Sequence, residues 1–183
     1  VLSLPVGTYL AFHQHIFHAQ TVLKVHTTEL DAFAGIDAHQ SCQTSIENFI
    51  VQAEHIERAS SLTVLNLMLQ PIAKEQLAAQ LENLIKNPPH FLILQGFGTG
   101  NIATNSELLN LFEALYERGC VVIISSQVVF GKLDQRYAVS SWIENAKVLI
   151  NDCHSHADLY AKALQMYLKY PTHDQRFEHW HHH

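Results

Sequence analysis

Residues 91–101 read FLILQGFGTGN, an unbroken apolar run followed at once by a glycine-rich stretch. Apolar residues then recur at helical spacing over 106–112. This order predicts a buried strand, a glycine loop and a helix. In a parallel sheet such a loop lies beyond the carboxyl end of its strand, where its backbone can approach a ligand closely. The spacing GxGxGN differs from the dinucleotide fingerprint GxGxxG, and no phosphate-loop Lys-Ser/Thr follows. A purely structural turn is therefore the alternative interpretation.

The same alternation continues on both sides of this stretch. We predict four strands and four helices after residue 61, with a last helical piece running to Trp180. The strands are expected at Leu62–Leu69, Phe91–Leu94, Val121–Ile124 and Lys147–Ile150, and the helices at 73–87, 105–118, 137–145 and 156–170. Alternating strands and helices predict an α/β fold, a parallel doubly wound (flavodoxin-like) sheet of about four strands with flanking helices. Near-continuous apolar strands predict burial on both faces of the sheet.

The first third of the chain has a different character. Aromatic and β-branched residues over 8–17 predict a β-hairpin that turns near His13-Gln14. A second extended piece ends at His26, and Thr27 or Thr28 is expected to cap a short helix over Glu29–Phe33. Residues 36–61 are weakly periodic, and we interpret them as a linker, with a strand over Ser45–Ala53 and polar surface over Gln52–Arg58. The predicted organisation is an N-terminal segment over 1–35, a linker over 36–61, an α/β domain over 62–180 and a purification tag at 181–183.

Composition limits the classes of function. The 183 residues are 48% hydrophobic with a formal net charge of −6, and no run approaches the ~18 apolar residues of a membrane span. The acidic balance argues against nucleic acid or an anionic membrane surface as the main partner. Three widely spaced cysteines form neither a disulfide framework nor a zinc motif, and fit a reducing compartment.

Four segments together resemble one family. Residues 91–103 read FLILQGFGTGNIA, residues 119–127 read GCVVIISSQ, residues 131–150 read GKLDQRYAVSSWIENAKVLI, and residues 21–33 read TVLKVHTTELDAF. Their content and order resemble the C-terminal domain of bacterial L-asparaginases, preceded by the end of that family's N-terminal domain. The compact loop at Gly131–Tyr137, which has no longer acidic insertion, resembles the type I, cytoplasmic group more than the periplasmic type II group.

The resemblance implies hydrolysis of L-asparagine to L-aspartate and ammonia by a threonine nucleophile, without metal or cofactor. A threonine hydroxyl must be activated by a nearby base, and the family uses a Thr-Lys-Asp group. The lysine of that group falls on Lys24, which the resemblance therefore makes catalytic. The residues alone leave two interpretations of Lys24 open, a solvent-facing lysine on an edge strand or a partly desolvated base between Leu23 and Val25.

The resemblance also assigns a role to Asn101. In the family the glycine loop reaches toward the active site of a neighbouring subunit, where its asparagine helps to hold the substrate's α-amino end. An amide carbonyl is a suitable acceptor for an ammonium group. A homodimer or homotetramer is therefore implied. The alternative is that Asn101 caps the turn that follows it.

Some of the family's features are missing. Its Thr-Gly-Gly-Thr-Ile-like and Gly-Thr-Asp-Thr-like motifs do not occur, so we expect this chain alone to be inactive. Ala103 replaces a proline, and Gln95 and Val128 replace an arginine and a cysteine of an allosteric site, so that allostery is not transferred. Two alternatives to an asparaginase remain: the asparaginase-like subunit of a tRNA-dependent amidotransferase, and a non-catalytic amino-acid-binding or dimerisation module.

Histidines are the remaining candidates for chemistry. His13 and His15 have the spacing of two metal ligands on one face of a strand, but no carboxylate or cysteine supports them. We therefore predict no metal site, and a surface or hydrogen-bonded role for these side chains.

Overall fold

The computed structural model describes residues 4–42, 49–128, 142–151 and 155–182. The strands are β1 Tyr9–Phe12, β2 His15–His18, β3 Leu23–Lys24, β4 Phe33–Ala34, β5 Val64–Met68, β6 Phe91–Gly96, β7 Val121–Ser126 and β8 Val148–Ile150. The helices are α1 Ala53–Ala59, α2 Lys74–Ile85, α3 Ser106–Glu117, α4 His156–Lys169 and α5 His173–His179. Short 3₁₀ turns occupy Ala19–Thr21, Ile143–Asn145 and Trp180–His182. No helix in the described ranges is long and apolar enough to cross a bilayer.

The main sheet consists of four parallel strands in the order β5-β6-β7-β8. Helices α2 and α3 pack on one face, where Leu81, Phe112 and Leu115 meet Leu92 and Leu94. Helices α4 and α5 cover the other face, whose buried residues include Phe91, Ile93, Leu159, Met166 and Trp180. The predicted parallel α/β sheet with flanking helices is confirmed, and each central strand is buried on both faces.

Strand β5 departs from the expected burial. It forms one edge of the sheet, and its residues alternate between half-buried and exposed. Met68 is 57% exposed. An apolar run predicts a strand but not its position in the sheet, and an edge strand has a neighbour on one side only.

The N-terminal segment contains the predicted hairpin. Strands β1 and β2 pair antiparallel, with Phe12 opposite His15 across the turn. His13 takes a positive φ of 47° in that turn, a conformation that histidine tolerates better than most residues. Residues 19–21 then contact α4, which fixes the segment against the main domain.

The predicted helix over Glu29–Phe33 is wrong. Strand β3 turns back to pair with β4, so that Lys24 lies opposite Phe33. The backbone N–H groups of Val25 and His26 both donate to the Ala32 carbonyl, at 2.8 and 3.3 Å. A single helical turn is only marginally stable by itself. The segment therefore forms these hydrogen bonds between two strands instead of the bonds within a helix.

The region 36–61 contains more structure than a linker requires. Helix α1 begins at Ala53 and contacts α4. Arg58 donates from Nη1 to the Leu168 carbonyl at 3.1 Å and from Nη2 to the Tyr167 carbonyl at 2.8 Å. The predicted strand over Ser45–Ala53 is not present over residues 49–53, and its first part lies outside the described residues. The predicted helix over 137–145 falls mostly outside them as well.

Candidate functional site

The glycine loop, Gly96–Asn101, closes tightly on itself at the carboxyl end of β6. The Phe97 N–H donates to the Asn101 carbonyl at 3.0 Å, and the Asn101 N–H donates to the Phe97 carbonyl at 2.7 Å. Gly98 and Gly100 have φ values of +51° and +90°, which favour glycine. A Cβ at Gly96 would lie 2.7 Å from the Asn101 carbonyl oxygen. The loop therefore needs glycine for conformation at two positions and for close approach at the third.

Residues at the end of β7 hold this loop. The Ser126 hydroxyl donates a short hydrogen bond to the Gly98 carbonyl and accepts one from the Val128 N–H at 2.9 Å. The Gln127 N–H donates to the Gly96 carbonyl at 3.0 Å. The loop is thus connected to the neighbouring strand by its own backbone carbonyls.

The side chain of Gln127 connects two further strand ends. Its Nε2 donates to the Leu69 carbonyl at 2.6 Å and to the Gln95 carbonyl at 3.1 Å. The Leu69 N–H also donates to the Gln95 carbonyl, at 3.1 Å. One amide therefore fixes the carboxyl ends of β5 and β6 relative to β7.

Polar side chains form a row on the α4 face of this edge. Gln95 Nε2 donates to Asn66 Oδ1 at 2.8 Å, and Asn151 Nδ2 donates to Ser125 Oγ at 3.0 Å. Gln95 is 4% exposed, and its Oε1 accepts no hydrogen bond from the residues that the structure describes. A buried amide oxygen without a donor is costly, so Gln95 is the least satisfied group of the row.

The structure places Asn101 at the exposed tip of this arrangement. Its side-chain amide forms no hydrogen bond with another residue of the described ranges. The N-cap of α3 is instead Asn105, whose Oδ1 accepts from the Leu108 N–H at 2.9 Å. The Asn101 amide is therefore available to meet a ligand or a partner.

Lys24 lies in a different sheet from the glycine loop. It is exposed on the two-stranded sheet of β3 and β4, and its ammonium forms no ion pair with the described residues. Its neighbour Val25 is 44% exposed. The described part of this chain therefore leaves Lys24 open to solvent.

The sequence pattern assigns no role to Ser126 or Gln127. The signal for such a role is the position of these residues directly after an apolar strand. Polar residues that follow directly on an apolar run lie at the carboxyl edge, as the glycine loop does after β6, and neighbouring parallel strands bring such residues together. His156 is a similar case, because its Nε2 lies 3.0 Å from the Ser126 carbonyl.

The resolved pKa shifts lie elsewhere. Burial raises the pKa of Cys120, which precedes β7, to about 12. Burial, a hydrogen bond to Asp174 and nearby acidic charge raise the pKa of Tyr116 above its usual range. Within the described residues, no group of three or more His, Cys, Asp or Glu side chains could hold a metal ion.

These features define an α/β domain in which a glycine loop without a cofactor fingerprint lies at the carboxyl edge of the parallel sheet. Residues 71–176, more than half of the chain, match the Glutaminase/Asparaginase C-terminal domain family. The chain therefore belongs to this family. L-asparaginase 1 of Escherichia coli is 25% identical over 155 residues, covering 76% of this chain and 44% of the relative. One subunit of the glutamyl-tRNA(Gln) amidotransferase of Thermoplasma volcanium is 28% identical over 142 residues, covering 68% of this chain and 33% of the relative.

Solved structures show the same fold. L-asparaginase I from Vibrio cholerae superposes with a TM-score of 0.68 at 17% identity, covering 94% of this chain and 54% of that one. The thermostable L-asparaginase from Thermococcus kodakarensis superposes with a TM-score of 0.65 at 21% identity, covering 95% and 53%. The chain spans about half the length of these structures and less than half of the sequence relatives named above.

Proposed function

We propose that this chain is the C-terminal part of an L-asparaginase that hydrolyses L-asparagine to L-aspartate and ammonia by threonine attack. The observation that carries the proposal is family membership over residues 71–176, together with a tightly held loop whose Asn101 side-chain amide forms no hydrogen bond with the described residues. L-Asparagine carries an α-ammonium group, which an amide carbonyl can accept. The amide needs no metal or cofactor for this task.

Asn101 would serve the active site of a neighbouring subunit in a homodimer or homotetramer. The loop that carries it is held by the Ser126 hydroxyl, by the Gln127 backbone N–H and by hydrogen bonds of its own backbone. Holding a binding group in place before the substrate arrives reduces the entropy lost on binding. The same protein would work in the cytoplasm, in keeping with its type I character, and its net charge of −6 disfavours nucleic acid as the main partner.

Lys24 would belong to the group that activates the threonine. In the described part of the chain Lys24 is exposed. The proposal therefore assigns its desolvation, the reactive threonines and the catalytic aspartate to segments of the longer relatives that lie outside these 183 residues.

Ammonia release from L-asparagine tests this function. We expect none from the 183-residue chain and activity when the N-terminal half of the enzyme is added in trans. Lys24→Ala should abolish that activity, whereas Lys86→Ala, at a similarly exposed lysine, should retain it. Activity of the chain alone would contradict the placement of the threonines, and activity of Lys24→Ala would contradict the role of Lys24.

The role of Asn101 has its own test in the reconstituted enzyme. Asn101→Ala should lower kcat/KM by roughly tenfold or more, because a hydrogen bond to a charged group is lost. Asn110→Ala removes an exposed asparagine of α3 and should leave kcat/KM unchanged. Equal values for the two variants would remove Asn101 from the substrate site.

A second function is favoured by the similarity to the glutamyl-tRNA(Gln) amidotransferase of Thermoplasma volcanium. An amidotransferase component would act on an amide donor within a tRNA-dependent complex. Sequence upstream of Val1 encoding an additional barrel domain, and binding of tRNA by the longer protein at physiological salt, would favour this function over a free asparaginase. A non-catalytic amino-acid-binding or dimerisation module is the third candidate, and saturable calorimetric binding of aspartate or asparagine to the chain alone would favour it.

A further inference from the structure

The edge of the main sheet opposite the glycine loop contains an open cleft of about 490 Å³. It lies at the amino ends of β6 and β7, between the turn that enters β6, the turn that follows α3 and the start of α5. The rings of Pro88, Pro89 and Pro171 contribute to its wall. Its polar lining is dominated by two arginines and two histidines, Arg118, Arg176, His90 and His173, with one acid, Asp174.

Arg176 is the buried cation of the cleft. It is 5% exposed and donates from Nε to the Tyr170 carbonyl at 2.9 Å and from Nη2 to the Pro171 carbonyl at 2.8 Å. These bonds cap the end of α4, but they leave Nη1 without a hydrogen bond to a described residue. Burial lowers the pKa of Arg176, the nearby Tyr167, whose ring centroid lies 4.7 Å from the guanidinium carbon, raises it by a smaller amount, and Arg58 lowers it further.

Arg118 adds a second guanidinium to the cleft. Its backbone ends α3, but its side chain forms no hydrogen bond or ion pair with the described residues, and it is exposed. Guanidinium groups bind carboxylate and phosphate oxygens in a fork geometry.

His90 provides a neutral donor. Its Nδ1 accepts the Thr63 backbone N–H at 3.1 Å, so the proton of the neutral ring lies on Nε2. Burial and Arg176 lower the pKa of His90 and keep the ring neutral near physiological pH. Nε2–H is therefore available to donate.

The single acid of the cleft is already engaged. Asp174 Oδ1 accepts from the Tyr116 hydroxyl at 2.5 Å and lies 3.4 Å from His173 Nε2. Two arginines against one carboxylate leave the cleft with a net positive charge, although the protein as a whole is acidic. An oxyanion in the cleft would compensate the buried Arg176 and accept from donors that have no partner within the described chain.

We propose that this cleft is a binding site for a small oxyanion, the phosphate or carboxylate group of an organic molecule, held by Arg118, Arg176 and His90. The proline rings leave room for the organic part of such a ligand. This site can be tested without amidohydrolase activity, because every group that forms it lies in this chain.

Nuclear magnetic resonance of the 15N-labelled 183-residue chain tests the proposal. Sodium phosphate and sodium acetate are titrated separately, with sodium chloride adjusted to hold the ionic strength constant. We expect saturable shifts of the Gly119 amide and of the His90 and His173 ring nitrogens, with a dissociation constant on the order of 1 mM. Saturation by both anions supports a general oxyanion site, and saturation by phosphate alone supports a phosphate site.

Arg118→Gln is the informative variant, because the exposed Arg118 side chain forms no hydrogen bond or ion pair with the described residues, and we expect the fold to tolerate the change. Binding should weaken by roughly tenfold, as expected for the loss of one charge-assisted contact. Lys74→Gln removes the same charge at the start of α2, on the opposite edge of the sheet, and should leave binding unchanged. Shifts that grow linearly with both anions, or the same affinity in Arg118→Gln as in Lys74→Gln, would overturn the proposal.

Discussion

Gly96→Ala should destabilise the chain through a steric clash. A Cβ at this position would lie 2.7 Å from the Asn101 carbonyl oxygen, 2.7 Å from the Gly100 carbonyl carbon and 2.8 Å from the Gly100 oxygen. All three are backbone atoms, so no side chain can rotate away. Overpacking of this kind costs about 1–3 kcal/mol. The two hydrogen bonds that close the glycine loop should lengthen as Asn101 is displaced.

Gly98 is a matched control, at which alanine should destabilise the chain for a different physical reason. A Cβ there meets nothing within 4 Å, but the φ of +51° lies in the left-handed region. Gly98→Ala should therefore cost about 1–2 kcal/mol by backbone strain alone. Asparagine tolerates that region, so Gly98→Asn should recover part of the loss. Gly96→Asn should recover none, because its clash begins at Cβ.

Urea denaturation followed by circular dichroism measures these differences. With a slope of about 2 kcal/mol/M, Gly96→Ala should lower the midpoint by roughly 0.5–1.5 M. The Asn101 amide resonance should move in Gly96→Ala. A midpoint within about 0.2 M of the wild type, or recovery of stability in Gly96→Asn, would refute the close-approach reasoning.

Three further predictions concern other parts of the fold. Gln127→Ala should lose about 1–3 kcal/mol and speed hydrogen exchange of the Leu69 amide, whereas Gln70→Ala, on the exposed turn, should change neither. Burial raises the pKa of Cys120 to about 12, so the thiol ionises first in the unfolded chain and stability falls as the pH rises from about 9 toward 12. Urea titrations should show a loss of roughly 1 kcal/mol near pH 10 that is absent in Cys120→Ala. Trp180→Ala should cost about 3–5 kcal/mol in the same assay, because the ring is fully buried beside Phe91.

The regular part of the fold was predictable because its signals are local. The apolar run 91–94, the glycines after it and the helical spacing over 106–112 each describe a few consecutive residues. Helix α3 ends at Glu117, and Gly119 follows two residues later with a φ of +90°, as a glycine after an amphipathic stretch predicts. The hairpin turn at His13 was predictable for the same reason.

The errors occur where partners are distant in sequence. Residues 29–33 have the composition of a capped helical turn, but the pairing of β3 with β4 determines their conformation. Strand β5 has an apolar run similar to those of the buried strands, and only its place at the sheet edge exposes Met68. Helix α1 is stabilised by Arg58, which reaches carbonyl groups more than 100 residues away.

The residue pattern alone predicts the alternation of strands and helices, the position of the glycine loop and the resemblance that family membership confirms. Packing of the strands establishes how that loop is held, by Ser126 and Gln127 at the end of a neighbouring strand, and the folded chain shows that Asn105 rather than Asn101 caps the following helix. It also brought Arg118 and Arg176 to one cleft. Periodicity and turn chemistry act between near neighbours in the chain. Hydrogen bonds between strand ends, and the meeting of two arginines in one cleft, depend instead on how the elements pack.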